Sequence, residues 1–440
     1  MSREMKDSGV EWIGEIPENW GVTRLKYAYD NSNGSAVRVG PFGSALPSSD
    51  YISDGEWVYN QRTVLDENFT TNNTCVSKEK ADSLSGFRVY PGDILITTRG
   101  TLGHIAVVPN GAPSGILHPC IIRFRVDLSI VMPELLKYMF NDSDFFIKQI
   151  EFANNSTTIE ALYSYNLRDL ILPEIPITEQ SQIVHFLDRK CTVIDTVIEK
   201  TKKSLEKLEE YKKAVITKAV TKGIDPNAKM KDSGVEWIGE IPERWKVTKT
   251  KYLFRILKRI AGCEGFDVIS ITQKGLKIKD ITSNEGQVAE NYSNYQFVFP
   301  GDFAMNHMDL LTGWVDLSSL TGVTSPDYRV FHKINESVND DYYKYVFQSL
   351  YFNKVYYGLA QGVAEVGRKR LQAPAFKELK LPCPPADEPA KIAAYIKNKC
   401  MAIDALIEKK QTAINKWEEY KKSLIYYAVT GKYDCRNEVI

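Results

Sequence analysis

Eight short stretches combine the side chains that can recognise without making bonds. In one half of the chain they are GPFGSALPSSDY (Gly40 to Tyr51), YNQR (Tyr59 to Arg62), TTRGTLGH (Thr97 to His104) and ANNSTT (Ala153 to Thr158). In the other they are SITQKG (Ser270 to Gly275), MNHMD (Met305 to Asp309), TSPDYR (Thr324 to Arg329) and GRKR (Gly367 to Arg370). Arg can bond the guanine edge in a major groove, Asn and Gln the adenine edge, and Lys and Ser suit phosphates. The same composition also describes an ordinary hydrated loop.

Bond-making chemistry has little support. There is no G-x-x-x-x-G-K-[ST] phosphate loop, and Gly40 with Gly43, or Gly358, Gly362 and Gly367, do not make G-x-G-x-x-G. CPPAD (Cys383 to Asp387) has two prolines without the flanks of the amino-methyltransferase signature. Asp327 with Glu378 and Lys380 is the best nuclease-like set, but Glu-x-Lys recurs by chance, as Glu408 to Lys410 shows. The five histidines are scattered.

Composition points the same way. The 440 residues suffice for two or three cores, and 43% hydrophobic with 25% charged residues is globular. Neither a long apolar run nor a secretory leader is present, so the expectation is a soluble, cytoplasmic protein. Seven cysteines without C-x-x-C spacing suit free thiols rather than a zinc site. Net charge is zero, and Lys plus Arg against Asp plus Glu is 13 to 16 over residues 21–170 and 18 to 14 over 246–380.

The elements that would position the loops are duplicated. MKDSGVEWIGEIPENW (Met5 to Trp20) returns as MKDSGVEWIGEIPERW (Met230 to Trp245), fifteen of sixteen residues identical at an offset of 225. Leu172 to Thr221 returns as Leu381 to Thr430 at an offset of 209, with Cys191 on Cys400, Asp195 on Asp404 and EYKK 210–213 on 419–422. PGDI at Pro91 meets PGDF at Pro300, again 209 apart, so the first copy carries sixteen extra residues between Trp20 and Pro91. Each repeat is a constant frame around a variable insert.

The frame predicts two helices, reached through proline-containing segments and started at Thr178-Glu179 and Asp387-Glu388. Their apolar seams run Val184, Leu187, Cys191, Ile194, Ile198, Thr201, Leu205, Leu208 and Ala393, Ile396, Cys400, Ile403, Ile407, Lys410, Ile414, Trp417. About forty residues give a rod of about 60 Å. The seams pair most simply with each other, antiparallel about a pseudo-two-fold axis, which would put the inserts at opposite ends; the alternative is that each helix covers its own domain. The C-terminal tail should then lie near the first MKDSGVEWIGEIP. Each insert reads as α+β, with strands at FRVYPGDILITTRG, HPCIIRFRV, FDVISIT and YQFVFPGDFAMN and helices at MPELLKYMFNDSDFFIKQI and DDYYKYVFQSLYFNKVYYGL. Trp12, Ile13, Trp20 and Trp237, Ile238, Trp245 are anchors buried against the frame, or contacts for a partner.

The paired MKDSGVEWIGEIPE-x-W openings, PGDI…TRG with PGDF…N, and the LP…E…I…Y/FL…K approaches to long helices resemble the specificity (S) subunit of type I restriction-modification enzymes across essentially the whole chain. SITQKG, MNHMDLLTGW and SPDYRVF look like one recurring type of target recognition domain in that family. The resemblance implies an α+β protein with two recognition domains, 21–170 and 246–380, held by frame segments 1–20 and 230–245. Two long antiparallel coiled-coil helices, in 171–229 and 381–440, complete it. Each domain would read half of a bipartite, asymmetric site in double-stranded DNA, and the helices would set the gap. Two methyltransferase (M) subunits using S-adenosylmethionine and ATP- and Mg2+-dependent restriction (R) subunits would be the partners, with no catalytic residue, cofactor, metal or membrane contact in this chain.

DNA contacts then fall to Arg38, Asn60, Gln61, Arg62, Arg99, Asn154 and Asn155, and to Thr272, Gln273, Lys274, Asn306, Arg368 and Arg370. The sequence departs from the family pattern at Pro389, where the first copy has Gln180. That touches the local cap and an M-subunit contact but not the rod, since a helix tolerates proline in its first turn. The alternatives are a duplicated single-chain nuclease or methyltransferase, and a coiled-coil scaffold with no DNA preference.

Overall fold

The computed structural model describes residues 3–437 except 33, 72–73, 154–160, 281–290 and 361–368. It divides into two units, Met1–Lys202 with Thr412–Ile440, and Lys203–Gln411. Both divisions fall inside the long helices, Ile177–Lys222 and Pro389–Val429, so each unit holds one insert and part of each helix. Among the described residues no helix is long and apolar enough to cross a membrane.

The two units are built on one plan. In the first, strand Met5–Asp7 pairs with Glu15–Pro17, and Gly21–Arg24, leading into the insert, pairs antiparallel with Ile171–Glu174, leading out. In the second, Met230–Asp232 pairs with Glu240–Pro242 and Lys246–Lys249 with Lys380–Cys383. Each insert is thus closed at its neck by a two-stranded ribbon made from the residues that flank it. Within the first insert, Val37–Val39, Ile121–Phe124, Ile94–Thr97 and Ile105–Val107 form an antiparallel sheet in that order. Phe254–Leu257, Arg329–Lys333, Phe303–Met305 and Val315–Leu317 repeat it in the second.

The PGD motif explains why the predicted single strands FRVYPGDILITTRG and YQFVFPGDFAMN are each broken in two. Gly92 and Gly301 adopt φ of 84° and 86°, which glycine alone takes up without strain. The following aspartate turns inward: Asp93 accepts the Tyr90 N–H at 2.7 Å and the Arg125 guanidinium at 2.5 Å, and Asp302 accepts the Phe299 N–H, the Arg259 guanidinium and His332. A buried carboxylate needs such partners. Arg88–Val89 therefore ends in one sheet and Ile94–Thr97 begins in another.

The predicted insert helices are broken too. Pro133–Asn141 and Phe145–Ala153 are separated where Ser143 bonds the Met139 carbonyl and accepts the Phe145 N–H. Asp340–Phe352 and Val355–Gly358 are separated by Lys354 at φ 57°. Polar residues that satisfy the backbone locally compete with a continuous helix.

Within each unit the long helices are antiparallel partners. In the first, Phe186 stacks on Tyr433 at 4.8 Å, Asp195 binds Lys421 at 3.0 Å and Lys202 lies 3.6 Å from Glu418. In the second, Lys212 binds Asp404 at 2.7 Å, and these are the repeat equivalents of Lys421 and Asp195. The seam is buried at Val184, Leu187, Cys191, Ile194 and Ile198, and at Ala393, Ile396, Cys400, Ile403 and Ile414. Thr201, Leu205, Leu208, Ile407 and Lys410 are half-buried, and Trp417, read as a seam residue, is 39% exposed with its ring edge on Tyr420.

The first helix starts at Ile177, so Thr178 lies in its first turn rather than capping it; the second starts at Pro389, directly after Asp387-Glu388. Gly223 and Gly431, both near φ 72°, stand past the helix ends and lie against Trp245 and Trp20 respectively. The buried tryptophans, with Ile13 and Ile238, are the anchors. Tyr426 and Lys432 donate to the Ile13 carbonyl, which brings the C-terminal tail onto the first frame segment as the repeat implied.

Candidate functional site

In the first insert, Asn60 caps the short helix Gln61–Leu65 by accepting the Thr63 N–H at 3.1 Å, and its amide lies 3.5 Å from the Thr74 hydroxyl. The cap turns Gln61 and Arg62 outward. Arg62 is highly exposed and pairs with Asp66, one helical turn on. Asn60, Arg62 and Asp66, together with Thr63, Asn68, Thr71 and Thr74, line a polar cleft of about 290 Å³.

Gln61 also approaches the loop that carries Arg99: its amide nitrogen lies 3.1 Å from where a Gly100 Cβ would be. Thr98, in turn, bonds the Cys120 carbonyl and holds Leu162 through its own carbonyl. One loop cluster therefore gathers Gln61, Arg62 and Arg99. Arg38 belongs to the sheet instead; it faces Arg123 across the strand pair and its guanidinium sits 5.8 Å over the Phe87 ring. Asn154 and Asn155 lie outside the described residues.

The second insert converges in a different way. Thr272 closes a hairpin turn by bonding the Gly275 carbonyl at 2.8 Å and accepting the Lys274 N–H, which leaves Lys274 at the exposed tip. Gln273 reaches the Thr312 carbonyl at 3.4 Å. That loop starts at Asn306, whose side chain accepts the Met308 N–H, and Gly313 has backbone of Asp309 and Asn306 so close that any Cβ would clash. Leu371 N–H bonds the His307 carbonyl, which places exposed Arg370 beside the same loop. Arg368 lies outside the described residues.

Polar groups that were not named among the DNA contacts lie beneath this cluster. Arg329 is buried, donates to the Leu371 carbonyl at 2.8 Å and rests 4.8 Å over the Phe376 ring. Burial pushes its pKa down to about 10. Burial first, and then Arg329, Arg370 and Lys258, lower the pKa of His307 to about 4, so its imidazole is neutral at pH 7. Tyr351 donates to the Asn306 carbonyl at 2.6 Å, fixing the loop from below. Sequence could name His307 only as part of MNHMD; its burial is a tertiary property.

Other candidates resolve structurally. Glu378 is bound by Lys249 and Lys251, each at 2.6 Å, and these contacts hold its pKa down to about 2. Among the described residues no group of three or more His, Cys, Asp or Glu could hold a metal. Gln180 is buried: its amide oxygen accepts the Met132 N–H and its nitrogen donates to the Ile130 and Ile175 carbonyls. Pro389 cannot replace that latch. One residue earlier, Glu388, the repeat equivalent of Glu179, accepts from the Trp245 indole at 2.7 Å.

A family profile described as the type I restriction modification DNA specificity domain matches residues 43–210. The chain is 26% identical to the putative type I restriction enzyme MjaX specificity subunit of Methanocaldococcus jannaschii, over 96% of this chain and 95% of that protein. The MjaVIII specificity subunit of the same organism is 26% identical over 96% and 95%. The EcoBI specificity subunit of Escherichia coli is 21% identical over 98% and 90%. A solved structure described as the structural basis of complex assembly and conformational transition of the type I R-M system shares the fold, with a TM-score of 0.66 at 14% identity, over 95% of this chain and 99% of that one.

Proposed function

We propose the function from one premise: the chain belongs to the family of specificity subunits of type I restriction-modification systems. It is a DNA-recognition subunit without catalytic chemistry of its own. Each insert reads one half of a bipartite, asymmetric site in double-stranded DNA, and the paired helices set the unread gap and dock methyltransferase subunits. Two such M subunits bind, one for each copy of the frame, and R subunits join for cleavage. S-adenosylmethionine, ATP and Mg2+ belong to those partners, and the assembly works in the cytoplasm.

The observation that carries this reading is the duplicated frame around unlike inserts. Asp195–Lys421 and Lys212–Asp404 occupy equivalent places in the repeat, and both necks are closed by equivalent ribbons. The loop clusters they present differ in sequence and construction. One job is done twice by the frame, and two jobs are done once each by the inserts. The first cluster offers Gln61, Arg62 and Arg99, and the second Gln273, Lys274, Asn306 and Arg370, as the groups for base edges and phosphates.

Methylation mapping of genomic DNA tests the proposal, in a methylation-free host expressing the chain with its neighbouring M subunit. The expected result is a two-part motif with a fixed gap, methylated only when both chains are present. Methylation of an undivided site, or by either chain alone, would overturn it.

A further inference from the structure

Phe42 is the most exposed large hydrophobic side chain among the described residues, at 87%. Its loop is held on both sides. Gly40 donates to the Ile121 carbonyl at 2.9 Å, and a Cβ there would lie 2.1 Å from the His118 carbonyl oxygen, so only glycine fits. Pro41 is buried, the Phe42 carbonyl accepts the Ala45 N–H at 2.8 Å, and Leu46 packs with Val58, Val76, Ala81 and Ile116. Gly43 has nothing around it that a side chain would touch. A fixed backbone thus holds an aromatic ring out in water, where it forgoes the roughly 1.5–3 kcal/mol that burial of such a side chain yields.

The position of the loop says what covers the ring. Gly40 rests on His118 and Pro119, the next residue Cys120 is bonded by Thr98, and Arg99 and Gly100 follow beside Gln61. Phe42 therefore stands at the edge of the loop cluster read above as facing the first half-site, with exposed Arg99 nearby and exposed Arg38 on the strand leading to the loop. We propose that Phe42 is a wedge that stacks into one base step of the first half-site and opens it.

Apolar side chains presented next to cations distort duplexes in this way, and base–aromatic stacking supplies the energy. A preset loop loses little conformational freedom on insertion. Phe42 lies in the stretch that carries the sixteen extra residues of the first copy. The strand equivalent to its own, Phe254–Leu257, is followed by Lys258-Arg259-Ile260-Ala261 instead. The second insert has no aromatic residue at that place.

This inference rests on the DNA-reading function, and its test separates the two. The full chain with its M partner is bound to duplexes of the mapped site carrying 2-aminopurine at successive adenines other than the methylated ones, because a methyltransferase turns its own target base out of the stack. Wild type should give increased fluorescence at one step of the first half-site and none in the second. Phe42→Ala should abolish the signal and weaken binding about 10-fold or more, Phe42→Trp should retain it, and Gly40→Ala, which displaces the loop, should lose it. A Phe42→Ala chain with unchanged signal and affinity would overturn the wedge alone. So would loss of M-subunit binding or of both half-sites alike, which would mark Phe42 as a protein contact. A wild type that reads no DNA would overturn the functional reading and the wedge with it.

Discussion

At the scale of single residues, satisfied polar groups and forced backbone angles carry the architecture. Buried Gln180 makes three hydrogen bonds, two of which tie the Ile130–Met132 segment to the start of the first long helix and the third of which holds the Ile175 carbonyl. Gln180→Ala should destabilise the first unit by about 2–4 kcal/mol in denaturant unfolding, because the Met132 N–H and two carbonyls lose their partner. Gly431→Ala should cost more than Gly223→Ala. Both positions need positive φ, but a Cβ at 431 meets Pro17 at 2.4 Å, whereas at 223 the nearest atom is Trp245 at 3.3 Å. His307 sets a pH dependence. Its pKa falls from 6.5 to about 4 on folding, so the unfolded chain binds more protons between those values. Stability of the second unit should fall as pH drops from about 6.5 to about 4, and His307→Asn should flatten that slope in chemical denaturation.

At the scale of elements, the helix pairs repeat but their surroundings do not. Lys421 is mostly buried and bridges Asp195 and Asp142, whereas Lys212 is more exposed and binds Asp404. Water screens the second pair more effectively. Lys421→Ala should therefore cost about 1–3 kcal/mol, since it leaves two carboxylates without their cation, and Lys212→Ala less than about 1 kcal/mol. Equal losses in thermal or denaturant unfolding would mean that Asp142 adds nothing to the first pair.

At the scale of the whole molecule, recognition is modular. Replacing Gln61 and Arg62 should change or abolish the first half of the methylated motif while the second half stays readable in genomic methylation mapping. Equal loss of both halves would contradict independent reading by the two inserts. The second insert's core is its own: Phe254, Phe303, Phe331 and Phe347 pack as one aromatic cluster, and Tyr342 donates to the Val220 carbonyl of the first long helix within the same unit. The first insert has its own core as well, in which Tyr59 and Val64 flank Gln61 and Arg62.

By itself the sequence determined the duplicated frame, the two long helices, most of their seam and the docking of the tail on the first frame segment. These follow from period and repetition, which are local or self-comparing properties of a chain. It did not reveal that Trp417 leaves the seam, that PGD breaks a strand, or that Ser143 and Lys354 break helices. It also hid that Gln180 works as a buried latch and Asn60 as a cap. The latch depends on which distant group arrives to satisfy a donor or acceptor, as Met132 does for Gln180 across 48 residues, whereas the Ser143 break and the Asn60 cap use near neighbours that hydrophobic period does not weigh. Only the tertiary structure decided that Gln61 and Arg99 share a cluster, that buried Arg329 helps keep His307 neutral, and that Phe42 stands exposed to water. Spacing along the chain carries no record of such encounters, because they arise when loops far apart in sequence are brought together by sheets and cores.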